Sequence, residues 1–234
     1  MQLYTGRPSP TSGLRPLASG LGTQNLWNPE LHVMLTRDEL LDLFRKSGAL
    51  LDGHFRLSSG LHSPGYLQCA LVLQHPRSAE ALGRAIAERT RDLKPSMVLS
   101  PALGGVVVGH EVGRALGIRA LFAERQDGML TLRRGFMISP TDRVLVIEDV
   151  LTTGGSTHET MQVAKAAGGH VVGAASIVDR SGDPAGSGGA ARDKFGVPFV
   201  ALLDMTLPTF EPDLCPLCAK GLAVVKPGSR PVVA

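Results

Sequence analysis

Aromatic residues are scarce: one Trp, two Tyr and seven Phe make up 4% of the chain. So sparse a set excludes a stacking platform for exposed bases. Cysteine is rarer still, with three residues. A small odd number builds no disulfide framework and fits a reducing cytosol. No apolar run approaches the ~18 residues of a membrane span, and the N-terminus has no secretory core. Neither charge dominates: 24 Lys and Arg stand against 21 Asp and Glu, for a net +3. That is too little for a nucleic-acid footprint, even with a pI near 8.9. A soluble cytoplasmic protein is expected, with neither nucleic acid nor membrane as partner.

The 234 residues are 43% hydrophobic and 19% charged. This is a globular composition, long enough for one domain with appendages. Residues 1–33 stand apart. They hold Pro8, Pro10, Pro16 and Pro29, show no helical or strand period, and have no acid before Glu30. A disordered extension is expected there. An acid-poor leader also fits a transit peptide, but no amphipathic apolar face accompanies it. Met34 then precedes a clear helix start and is expected to be a natural beginning. The folded domain is expected over 34–210, and a C-terminal tail over 211–234, with Lys226 to Arg230 exposed.

Thr36 and Glu39 have the spacing of a capping box. Leu40, Leu41, Leu43 and Phe44 give the helix an apolar face, and Gly48 can end it. Phe55 to Leu57 and Tyr66-Leu67 flank a polar Ser-Gly stretch and predict an irregular hairpin. A second helix is predicted after Ser78. From residue 97 the pattern repeats as strand, glycine turn, helix. Short apolar runs begin at Met97, Ala120, Val144, Val171 and Phe199. Val144 to Ile147 is continuously apolar, as in a strand covered on both faces. Alternation of this kind predicts an α/β fold, an open parallel sheet flanked by helices. Its ligands would sit beyond the carboxyl ends of the strands.

The run Glu148-Asp149-Val150-Leu151-Thr152-Thr153-Gly154-Gly155-Ser156 follows directly on that buried strand. Two adjacent carboxylates are expected at the strand end, and hydroxyls and glycines then open a helix. Free amides at a helix N-terminus bind phosphate, and glycines allow close approach. The acids would face the hydroxyls of a sugar whose phosphate lies in the loop. A merely capped helix would leave both acids desolvated with nothing to offset the cost. No Lys follows the glycines, which excludes the Gly-x-x-x-x-Gly-Lys nucleotide loop.

This run resembles the phosphoribosyl-pyrophosphate (PRPP) signature of the type I phosphoribosyltransferases. Phe55-Arg56-Leu57-Ser58-Ser59-Gly60-Leu61-His62-Ser63-Pro64, Pro101 to Gly105, Leu132 to Phe136 and Val178-Asp179-Arg180 resemble the orotate branch of that family. The resemblance spans about residues 34–210. It implies a Rossmann-like core with a small N-terminal hood. It also implies transfer of ribose 5-phosphate from PRPP to orotate, with Mg²⁺, in pyrimidine (UMP) biosynthesis. Glu148 and Asp149 would hold the ribose hydroxyls, Asp149 with Mg²⁺ through water. Residues 150–156 would line the PRPP phosphate loop. Leu103, Gly104 and Gly105 would meet the pyrophosphate, while Thr152 and Arg180 would contact orotate. A homodimer is implied, with a mobile lid over about Glu124 to Phe136 shared between subunits.

The lid departs from the family pattern, which carries an Arg-Lys pair, a further Lys and a His. Here the cations are Arg125, Arg133 and Arg134, expected either to neutralise pyrophosphate or to form a solvated basic loop. Ser58 and Gly104 stand where the family often has Lys. Two other readings are a PRPP-binding regulator that has lost catalysis and a purine phosphoribosyltransferase. His62 would lie near orotate or steady a turn; Tyr66 would pack on the substrate ring or fill the hood. Cys215-Pro216-Leu217-Cys218 is one thiol pair without the second pair expected of a structural zinc site. A local turn is expected there, with a metal or redox function as the alternative.

Overall fold

The computed structural model describes residues 35–57, 59–182 and 191–227. The expectations for 1–33, Ser58 and the end of the tail lie outside the described residues. Helix α1 (Arg37–Lys46) opens on the capping box read from the sequence. Thr36 Oγ1 accepts from the Glu39 amide at 3.3 Å, and the Thr36 amide donates to Glu39 Oε2 at 2.8 Å. Leu40 and Phe44 face inward, and Gly48 leaves the helix at φ +70°.

The hairpin-like excursion is a two-stranded antiparallel ribbon, β1 (Leu50–Arg56) and β2 (His62–Leu67). A two-stranded ribbon is marginal alone. Here the C-terminal segment extends it on both sides. His62 and Phe210 exchange amide hydrogen bonds at 2.9 Å. The Arg56 amide donates to Val225 O at 2.9 Å, and the Val225 amide to His54 O at 2.8 Å.

Helices α2 (Cys69–Leu73) and α3 (Pro76–Thr90) follow. Helix α3 begins ahead of Ser78 because Pro76 is suited to a first helical turn, where its missing N–H is no loss. Next come β3 (Met97–Pro101), α4 (Gly104–Leu116), β4 (Arg119–Gln126) and β5 (Met129–Leu132). The chain continues with β6 (Arg143–Leu151), α5 (Gly155–Ala166), β7 (His170–Asp179), β8 (Phe199–Asp204) and the short α6 (Pro216–Ala219).

The six-stranded sheet has the order β5-β4-β3-β6-β7-β8. All its pairings are parallel except the β4–β5 edge. This is the open, helix-flanked parallel sheet that the alternating pattern predicts. The segment 124–136, expected as a lid loop, is largely a hairpin. Asp127 and Gly128 turn at φ +51° and +85°, the pair of positive angles that a tight Asp-Gly hairpin turn needs.

The sheet buries both faces. Val144 and Val146 enter one core with Leu99, Met161 and Phe195. Leu145 and Ile147 enter the other with Phe44, Leu82, Ile86 and Val112. Alternate residues of one strand thus serve opposite layers. Helix α4 lies very close to the sheet. A Cβ on Gly105 would stand 2.8 Å from Ile147 O, one on Gly109 would collide with Ser100 Oγ, and one on Gly113 would stand 2.9 Å from Ala120 Cβ. All described residues fall in one compact unit, Met34–Ala234. None of the described helices is long and apolar enough to cross a membrane.

Candidate active site

Strands β3 and β6 are central neighbours whose chains leave in opposite directions. From β3 the path runs through α4 to β4; from β6 it runs through α5 to β7. Ligands of open α/β sheets bind at such a switch point. Pairing of β3 with β6 ends at Leu99↔Val146, whereas β6 stays paired with β7 as far as Leu151↔Asp179. Glu148 and Asp149 therefore sit within β6 and not at its tip, a correction to the sequence reading. The hydrogen bonds to β7 keep the strand extended past them, and beyond Val146 no described pairing covers the β3 side.

Glu148 is 8% exposed, and Asp149 is half-buried. Burial, and then the neighbouring Asp149 charge, push the Glu148 carboxyl up to about 8. Asp149 Oδ1 accepts from the Val150 amide at 2.8 Å, which fixes its rotamer. The turn before α4 comes right against it: a Cβ on Gly104 would stand 2.7 Å from Asp149 Oδ1. Leu103 is exposed, and the Ala102–Leu103 peptide is cis. Neither α4 nor α5 has a side-chain cap. Gly154, at φ +77°, is the N-cap of α5, so the first amides of that helix are left for a ligand. Thr152 and Thr153 are exposed, Ser156 is half-buried and Leu151 is buried.

Asp179 and Arg180 end β7 with different roles. Asp179 accepts from the Ser181 amide at 2.7 Å and pairs with Arg192 at 2.9 Å, so its carboxylate is spent on the fold. The Arg180 amide donates to Leu151 O at 2.8 Å. Its Nε is buried and has no hydrogen-bond partner. Burial lowers the guanidinium from its usual range, and nearby Tyr66 of the hood opposes that shift. A buried planar donor without a partner is a seat for an anionic edge.

The hairpin cations are placed differently. Arg134 makes a forked pair with Glu124 at 2.7 and 2.8 Å and lies over the Phe122 ring. Arg125 pairs with Glu159 at 3.0 Å and donates to Gly128 O at 2.6 Å. Arg133 is exposed and forms no ion pair among the described residues.

The sequence matches the phosphoribosyl transferase domain over residues 70–187. An orotate phosphoribosyltransferase of Pelotomaculum thermopropionicum is 52% identical over 198 residues, 85% of this chain and 100% of its own length. The chain belongs to the orotate phosphoribosyltransferase family. A second family member, from Heliobacterium modesticaldum, is 50% identical over 198 residues, 84% of this chain and 100% of its own. Among solved structures, the Mycobacterium tuberculosis orotate phosphoribosyltransferase in complex with PRPP is 30% identical. It has a TM-score of 0.57 and covers 72% of this chain and 95% of its own. The enzyme from Aeropyrum pernix is 26% identical with a TM-score of 0.59, over 71% and 93%.

Two features of this family member escaped the sequence reading. Thr157, in the first turn of α5, is buried with an unpartnered Oγ1 beside the uncapped amides. The hydroxyl directly after Ser156 was its only signal. His54 was not singled out at all, yet it is buried against His62. Cys215 and Cys218 do share one short helical turn, Cys215 as the N-cap of α6 and Cys218 within it, but they are not alone there. The imidazoles of His54 and His62 reach them from the hood, which spacing in the tail could not reveal.

Proposed function

We propose that this crevice transfers ribose 5-phosphate from PRPP to orotate, giving orotidine 5′-monophosphate and pyrophosphate. One arrangement carries the reading: a buried and a half-buried carboxylate, two uncapped helix starts and a guanidinium with an unpartnered Nε meet at one switch point. Glu148 and Asp149 receive the ribose 2′ and 3′ hydroxyls. The amides of Gly155, Ser156 and Thr157, with the hydroxyls around them, receive the 5′-phosphate. The turn Leu103-Gly104-Gly105 offers amides to the pyrophosphate. Orotate lies against Arg180 and Thr152, its carboxylate edge on the guanidinium fork.

The reaction needs little covalent help. The C1–O bond breaks toward an oxocarbenium-like ribose, and the orotate nitrogen takes C1 from the opposite face. The protein contributes position and charge. Asp149 sets a fixed negative charge beside the ribose as it becomes electron-poor. Arg180 offsets the orotate charge. Arg125, Arg133 and Arg134 turn to the departing pyrophosphate. Both guanidinium groups, Arg125 and Arg134, are exposed in their present ion pairs, where solvent screening makes the pairs easy to exchange.

The acidic pair offers four carboxylate oxygens, and burial, then the Asp149 charge, raises Glu148 there. Such hard donors fit Mg²⁺, which keeps waters and shares phosphate oxygens. Asp149 would hold it through water, and when bound it supplies neutralising charge to the pyrophosphate.

We further place the protein in the cytoplasm as a homodimer. Three free thiols support the first. The exposed Met129 and Met137, on and after the hairpin, support a second copy there. The test is direct: purified protein, PRPP, Mg²⁺ and orotate, followed by loss of orotate absorbance. PRPP binding without turnover would favour a regulator. Turnover with a purine base alone would overturn the assignment of Arg180.

A further inference from the structure

We propose that His54, His62, Cys215 and Cys218 form a structural zinc site that fastens the C-terminal segment to the hood. It lies outside the transfer chemistry. Each residue offers one ligand atom, and all four atoms lie within 4.8 Å of one another. His54 Nε2 is 2.9 Å from His62 Nδ1. Cys215 Sγ is 3.5 Å from His54 Nε2. Cys218 Sγ is 3.7 Å from His54 Nε2 and 3.3 Å from His62 Nδ1. Zinc bonds of ~2.0–2.1 Å to nitrogen and ~2.3 Å to sulfur set the edges of a tetrahedron. They come to about 3.3 Å for N–N, 3.6 Å for N–S and 3.8 Å for S–S. The side chains thus stand within about an ångström of that figure before any ion arrives.

The chemistry selects the metal. Two thiolates and two imidazoles in a closed tetrahedron suit Zn²⁺, and four protein ligands leave no position for a substrate. Charge closes as well. The two thiols lose their protons on binding, and two thiolates with one Zn²⁺ make a neutral group. Three of the four side chains are buried, where a neutral centre costs least. The other ring nitrogen of His54 is already held. Nδ1 lies 2.8 Å from Leu222 O, so a proton there would leave Nε2 as the ligand atom.

The site explains an otherwise weak junction. The hood is a two-stranded ribbon, and four backbone hydrogen bonds join it to Phe210 and Val225. His54 lies on β1 and His62 at the start of β2, whereas Cys215 and Cys218 bracket the start of α6. A metal there ties elements from the two ends of the folded chain, closing a very long loop. The same ribbon carries Tyr66, which lies near Arg180, so the zinc steadies the orotate side of the crevice.

The test uses the full chain without a histidine tag, purified under reducing conditions without chelator. Elemental analysis should find about one zinc per chain, falling below about 0.1 in Cys218→Ser and His54→Ala and unchanged in Cys69→Ala. Removing zinc with a chelator should lower Tm by about 5–10 °C, and added Zn²⁺ should restore it. Should the variants fail to fold, the unaltered protein still answers the question. Replacing zinc with Co²⁺ should give the intense visible bands of a tetrahedral ion and a thiolate charge-transfer band. A stripped protein that takes up no stoichiometric Zn²⁺ at micromolar concentration, or an octahedral Co²⁺ spectrum, would overturn the site. So would a Cys215–Cys218 disulfide in the reduced preparation. None of these readouts depends on orotate turnover.

Discussion

Gly104 and Asp149 touch across the switch point: a Cβ on Gly104 would meet both carboxylate oxygens of Asp149, at 2.7 and 2.8 Å. The contact joins the turn before α4 to the acidic strand and leaves room for nothing larger than hydrogen. Gly104→Ala should therefore displace the carboxylate. We expect kcat/KM for PRPP to fall about 10- to 100-fold with little change in Tm, since the turn is exposed. Asp149→Asn should cut kcat about 10²- to 10³-fold with the circular dichroism spectrum unchanged. Near-normal rates in both variants would refute the role given to this pair.

The role proposed for Arg180 separates the two substrates. Its Nε is buried without a partner among the described residues, and such a group costs the free protein stability until a ligand pairs with it. Arg180→Ala should raise KM for orotate about 10- to 100-fold and leave PRPP binding within about threefold. Tm should hold or rise. Equal losses for both substrates, read by initial rates and by titration calorimetry, would contradict the assignment.

Glu148 makes stability depend on pH. In the fold its carboxyl titrates at about 8; in the unfolded chain it titrates near 4.5. The folded state therefore holds a proton that the unfolded state has released. Its contribution is complete below about 4.5 and is lost as pH rises through about 8. Melting curves of the free protein from about pH 5 to about pH 9 should fall more steeply than those of Glu148→Gln. Parallel curves would show that Glu148 is not held protonated.

The hairpin cations test both assembly and lid. Arg133→Ala with Arg134→Ala should lower kcat, because the leaving group loses positive charge. If the lid reaches into a neighbouring copy, mixing this double variant with Asp149→Asn should restore activity. Random exchange gives hybrid dimers with one intact site each, about a quarter of the unaltered activity. A mixture no more active than its parents would place the lid over its own site. Glu124→Gln should leave Tm nearly unchanged, since solvent screens its pair with the exposed Arg134.

What the sequence settled by itself was local. The glycine turn that opens α5, the capped first helix, the doubly buried strand and the place of Arg180 just after β7 are each written in consecutive residues. Hydrogen-bonding range and side-chain period along one chain decide them. Tertiary structure decided what depends on the meeting of distant segments. Pairing with β7 carried β6 past its acids, and the packing of α4 set Gly104 on Asp149. The return of the C-terminal chain to the hood brought two thiols to two imidazoles. No spacing rule joins His54 to Cys215, because their distance is fixed by the path of the whole domain and not by the residues between them.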